Sequence, residues 1–113
     1  MNGRARGYIG EDIAVRFLKR RGYGIVATNA VVCGVEIDII ALDGDTVVFA
    51  EVKSSDSDTA HPAERVSARQ RARYVAAAQA YRVKHSLYDA DFRFDVIEVA
   101  GSRLSHIKNA FEA

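Results

Sequence analysis

At 113 residues, with 49% apolar and 27% charged side chains, the chain has room for one packed globular domain and none for a second core. Sixteen basic against fifteen acidic residues leave a formal charge of +1, so only local patches can speak for or against a polyanionic partner. The lone Cys33 excludes an intrachain disulfide and a cysteine-rich zinc site. Met1 to Gly10 has no apolar signal core, and no apolar run nears the ~18 residues of a membrane span, so the expected setting is cytoplasmic, without a membrane partner.

In chain order, Tyr8 to Arg21 predicts a helix that places Glu11, Ala14, Val15 and Leu18 on or beside one stripe and stops at Gly22. Tyr23 to Thr28 reads as a short strand and Asn29 to Gly34 as a turn or bulge. Glu36 to Leu42 and Val47 to Lys53 read as two strands joined by the hairpin signal Asp43-Gly44-Asp45. Ser54 to Pro62 is polar throughout and predicts a loop, followed by an alanine-rich helix from Ala63 to about His85. Phe92 to Ala100 alternates as a strand, and Ser105 to Lys108 reads as a last short one. The order α-β-β-β-α-β-β predicts an α/β fold with one mixed sheet flanked by helices, a single domain over residues 1–113.

The two hairpin strands carry charge where apolar residues are expected. With a period of two, Glu36, Asp38, Ile40 and Leu42 share one face, and Val47, Phe49, Glu51 and Lys53 share another. Pairing brings Asp38 toward Glu51 and Lys53 at one end of the sheet. Carboxylates there suit Mg²⁺ or Mn²⁺, which needs one or two of them plus waters and phosphate oxygens, and the Val52 carbonyl offers a further oxygen. Lys53 is placed to orient a water or to stabilise charge on a phosphodiester. The plainer alternative is a cross-strand salt bridge worth ~0–1 kcal/mol. Against it stand Ile37, Ile39, Ile40, Val47, Val48, Phe49 and Val52, which imply a sheet covered on both faces.

Further along, Arg65, Arg69 and Arg73 at i, i+4 and i+8 line one helix face, with Arg71 between them. They suit phosphate or form a solvated face. Tyr74, Tyr81 and Tyr88, seven apart, fit helix packing better than base stacking. His61, His85 and His106 show no metal-ligand spacing and read as surface or supporting residues. Asp95 reads as a partner of Arg93 or of neighbouring backbone.

Asp38, twelve intervening residues, then Glu51-Val52-Lys53, entered from a hairpin and followed by a helix, resembles the PD-(D/E)xK nuclease superfamily. Gly10-Glu11 on the first helix resembles the glutamate position of archaeal Holliday-junction resolvases. From Gly7 to Phe111 the chain is similar to the YraN-like family of small uncharacterised bacterial proteins. The resemblance runs through Gly10-Glu11, Gly22-Tyr23, Asn29, Glu36-Ile37-Asp38-Ile39-Ile40-Ala41, Phe49-Ala50-Glu51-Val52-Lys53, Gln70, Tyr81, Phe92-Arg93-Phe94-Asp95-Val96 and His106-Ile107. It implies a restriction-endonuclease-like fold. Glu11, Asp38, Glu51 and Lys53 become the metal and catalytic set, with Gln70 accessory and the role of Glu36 unassigned. Val35 stands where glycine is usual, Ser55 where a basic residue is frequent and Arg69 where lysine is common; none of these removes a proposed metal ligand.

The expected activity is Mg²⁺-dependent hydrolysis of DNA, on branched or otherwise structured forms, with a homodimer or an accessory protein as further partners. The rival is a nucleic-acid-binding or protein-interaction module that keeps the fold without cleaving, since fold does not fix function.

Overall fold

A computed structural model describes the backbone of residues 3–55 and 66–111 and the side chains of 9–54 and 66–111. The elements are α1 (Gly3–Arg20), β1 (Gly24–Val32), β2 (Val35–Asp43), β3 (Thr46–Ser55), α2 (Ala68–Lys84), β4 (Phe92–Ala100) and β5 (Arg103–Phe111). The five strands form one mixed sheet in the order β1-β2-β3-β4-β5. Only β3 and β4 run parallel, and α2 makes the crossover between them; the other neighbours are antiparallel. The element order and mixed class are those expected from the sequence.

Each face of the sheet carries one helix, and this explains why the central strands are apolar on both sides. Ala14 and Leu18 of α1 pack on Ile39, Ala41, Val48, Ala50, Ile97 and Val99. On the opposite face, Tyr74, Ala77 and Ala78 of α2 pack on Ile37, Ile40, Val47, Phe49, Phe94 and Val96. Of the three tyrosines at spacing seven, Tyr74 is buried and Tyr81 lies edge-on to Phe49 and Phe92. Tyr88 is exposed beyond the end of α2.

Several boundaries differ from expectation. Helix α1 begins at Gly3 instead of Tyr8, and β1 runs on to Val32 through the stretch read as a turn. Asn29 takes a left-handed φ of 51° within it, a conformation asparagine tolerates, and the pairing with β2 keeps its register on either side; the register shift of this pair lies earlier, between Ile25 and Ala27. The tight turn falls at Cys33 and Gly34, both with positive φ. Strand β3 extends through Ser55, so the polar loop begins later than Ser54; its residues 56–62, His61 among them, lie outside the described residues, as do Ala63, Glu64 and Arg65. Helix α2 starts at Ala68 because the Ser67 hydroxyl accepts the Gln70 amide and caps it. Strand β5 is longer than the short strand expected, reaching from Arg103 to Phe111.

Candidate metal and phosphate site

The site follows from where β2 and β3 part. Their ladder runs from Asp43↔Thr46 to Ile39↔Ala50 and goes no further. The next two residues are Asp38 and Glu51. At the same level the alternation of β2 slips: Ile37 and Ile40 both face α2, while Ile39 between them faces α1. The left-handed Asn29 of β1 stands opposite this slip, between Thr28↔Ile39 and Ala30↔Ile37. The period-two reading of β2 is therefore broken at Asp38, which leaves the regular ladder. Its carboxylate replaces the missing strand partner: Val52 N–H donates to Asp38 Oδ2 at 2.8 Å.

Glu51 follows Phe49 on the α2 side of β3 and is 6% exposed. Its Oε1 accepts from Lys53 Nζ at 2.9 Å and from Gln70 Nε2 at 3.3 Å, while its Oε2 is buried without a partner. Gln70 reaches it from the first turn of α2. Glu11 is half-buried in the middle of α1 beside the Asn29 side chain, with Oε1 buried and unpartnered. A hollow of about 260 Å³ lies there between Glu11, Asp12, Val15, Thr28 and Asn29.

The electrostatics register this crowding. Burial, opposed in part by the Val52 amide, raises the Asp38 carboxyl to about 6, and the charges of Glu11, Glu51 and Glu36 push it the same way. Burial also raises the Glu11 carboxyl, with a smaller push from Glu36. Tyr74 is buried beneath the site, and its phenol is raised by burial and then by Asp38, Glu51 and Glu36. Among the described residues, no three His, Cys, Asp or Glu side chains converge closely enough to ligate one ion.

Asp38 thus contacts the Val52 amide, Glu51 contacts Lys53 and Gln70, and Glu11, Glu51 and Glu36 act on Asp38 through their charge. The bond that Val52 brings to the site is from its amide. Arg69 and Arg73 are exposed on α2. Arg71 is turned back: its Nε donates to the Val66 carbonyl at 3.1 Å and its guanidinium lies over Phe111. Helix α2 carries five basic residues and no acid.

A further buried acidic residue, Glu98, escaped the sequence reading. It is 6% exposed, with Oε1 buried and unpartnered, and sits opposite Lys53 in the parallel β3–β4 ladder. The available signal was its parity with Phe94 and Val96 on a buried face. Of the surface or supporting roles expected of His106, the structure shows the supporting one. Its side chain is 6% exposed and its Nε2 lies 2.7 Å from Asp95 Oδ2. Asp95 does pair with Arg93 and with backbone, the Asn109 amide, as expected. Arg93 ties this cluster to Asp43 and Tyr23 on the α1 side.

A UPF0102 protein of Clostridioides difficile (strain 630) is 40% identical over 114 residues, covering 98% of this chain and all of the relative. One of Dechloromonas aromatica (strain RCB) is 42% identical over 110 residues, covering 96% and 90%. One of Persephonella marina (strain DSM 14350 / EX-H1) is 37% identical over 108 residues, covering 95% and 93%. With residues 10–99 matching that family's model as well, the chain belongs to the uncharacterised protein family UPF0102, the YraN-like proteins.

Proposed function

We propose that this protein is a restriction-endonuclease-like, metal-dependent DNA nuclease whose site is the fork between β2 and β3. The observation that carries the reading is that Asp38 and Glu51 are the residues just beyond the last β2–β3 pair, the charge of Glu51 being felt at Asp38, with Lys53 and Gln70 held on Glu51. Buried carboxylate oxygens without donors, Glu51 Oε2 and Glu11 Oε1, are costly unless a cation completes them. Hard oxygen donors in this number fit Mg²⁺ or Mn²⁺, which fills the rest of its shell with water and phosphate oxygens. Asp38 and Glu51 would hold the ion, with the Val52 carbonyl as a further donor. When bound, such an ion activates water and neutralises charge building on a phosphodiester.

The chain's own residues supply the rest. Lys53 places a positive charge over the fork, where it can meet a phosphate oxygen. Gln70 fixes the Glu51 rotamer from α2 and can orient a water. Arg69 and Arg73, on a helix without acids, draw the phosphate backbone toward the same end of the sheet. Arg65, read with them from the sequence, precedes the Ser67 cap and lies outside the described residues, so the phosphate-binding stripe rests on Arg69 and Arg73. The preferred substrate is branched or flapped DNA, by analogy with the junction resolvases.

One observation favours the rival, a binding module that does not cleave: Lys53 Nζ already neutralises Glu51 at 2.9 Å. The experiment is a cleavage assay with Mg²⁺ or Mn²⁺ on linear, single-stranded, flapped and four-way DNA. Asp38→Asn and Glu51→Gln abolish cleavage, and Lys53→Ala slows it by on the order of 10²–10³. A folded wild type that binds Mn²⁺ and DNA yet leaves every substrate whole establishes the rival.

A further inference from the structure

Two buried carboxylates flank one lysine on the α2 side of the sheet. Glu51 and Lys53 share that face of β3, and Glu98 continues the same face of β4 after Phe94 and Val96. Lys53 and Glu98 are Cα partners in a parallel ladder, so their side chains leave neighbouring strands side by side, about 4.8 Å apart at the backbone. The ammonium nevertheless rests on Glu51 Oε1, which also accepts from Gln70. Glu98 is 6% exposed and its Oε1 has no donor. A buried, unpartnered carboxylate oxygen beside a long flexible cation is an unused acceptor within that cation's reach.

We infer that Glu98 is a positioning residue for Lys53: it receives the ammonium whenever Glu51 is engaged elsewhere, and so holds that charge over the fork. The inference deepens the proposed reading of the site, because an ion or a phosphate at Glu51 displaces Lys53 from Oε1. With no second acceptor, the lysine, whose side chain is already 34% exposed, would swing into solvent. Moving it one strand over costs little motion. It also frees Glu51 to ligate while Lys53 stays beside the phosphate.

The first test needs neither metal nor DNA. In a crystal structure of Glu51→Gln, which removes the competing charge at nearly constant shape, Lys53 Nζ is expected within roughly 3 Å of a Glu98 oxygen. In that background, Glu98→Gln should shift the unfolding equilibrium on the order of fivefold more when Lys53 is present than when it is Met. A Lys53 extended into solvent with Glu98 still unpartnered, together with additive effects, overturns the inference. The second test measures Mn²⁺ affinity and turnover. Glu98→Gln is expected to leave Mn²⁺ affinity within about twofold and to lower kcat by at least about tenfold, with Glu98→Asp restoring part of it. An unchanged kcat in a cleaving enzyme also overturns the inference. A wild type that cleaves nothing refutes the nuclease reading instead, and the Glu51→Gln structure then still decides whether Glu98 takes Lys53.

Discussion

Replacing Asp38 by Asn should stabilise the folded protein at neutral and higher pH. Burial, with Glu11, Glu51 and Glu36 adding to it, raises this carboxyl from 3.8 to about 6. The folded chain therefore binds the proton more tightly than the unfolded chain does. Stability falls as pH rises from about 4 to about 6, and above that the full cost of the charge is present. Two units at about 1.4 kcal/mol each give ~3 kcal/mol, which partial solvent access reduces to ~1–3 kcal/mol. Asparagine keeps an oxygen for the Val52 amide, so the 2.8 Å bond need not be lost. Urea denaturation of both proteins at pH 4 and pH 8 is the assay, because the difference between them cancels every other titrating group to first order. The variant should gain ~1–3 kcal/mol at pH 8 and close to nothing at pH 4. Millimolar Mg²⁺ should stabilise the wild type alone and narrow the gap, as any ligand of the folded state does. A wild type at least as stable as the variant at pH 8, or a difference that does not change with pH, would refute the reasoning.

Three further outcomes follow from other contacts. Asp95, fully buried, is held at about 2 because hydrogen bonds from His106, Arg93 and the Asn109 amide outweigh its burial; Asp95→Asn should cost ~3–5 kcal/mol at pH 7 by urea denaturation, and the deficit should shrink as pH falls from about 4 toward 2. A Cβ at Gly10 would run into Ser54 Oγ, so Gly10→Ala should destabilise by ~1–3 kcal/mol, and Ser54→Ala should recover part of the loss in the double variant. If α2 meets DNA, Arg69→Ala with Arg73→Ala should weaken binding at low salt and flatten its salt dependence; binding isotherms unchanged at every ionic strength would move the interface off this helix.

The legible parts of the fold were those fixed by short-range chemistry. Asp43-Gly44-Asp45 marks its hairpin whatever surrounds it, and Phe92 to Ala100 forms β4 within the bounds expected. Two departures involve single polar side chains that periodicity does not register. Strand β1 continues through the left-handed Asn29 to the turn at Cys33 and Gly34, and Ser67 starts α2 where its hydroxyl can cap it. Neither signal stands out from the strand or helix propensity around it. The partner of His106 was hidden for a different reason. Asp95 is eleven residues away and meets it only through the β4–β5 pairing, with a register shift between Phe94 and Val96.

The candidate site was legible where charge interrupts an apolar strand, and that rule extends further than the sequence reading took it. Asp38, Glu51 and Lys53 stood out because Ile39, Ile40 and Phe49 surround them. Glu98 obeys the same rule on β4, yet one acid beyond Phe94 and Val96 has no visible partner until the parallel register sets it opposite Lys53. A parallel pair is joined by a crossover helix, so its register cannot be read from a turn as a hairpin's can. Faces were the harder quantity. Counting in twos along β2 failed at the slip between Ile37 and Ile39, where Asp38 lies. That slip is what frees the carboxylate to reach the Val52 amide at the end of the ladder. The geometry that makes the fork is therefore a departure from the strand rule that first drew attention to it. Acidic residues on central strands should accordingly be paired by where the ladder ends, and only then by parity.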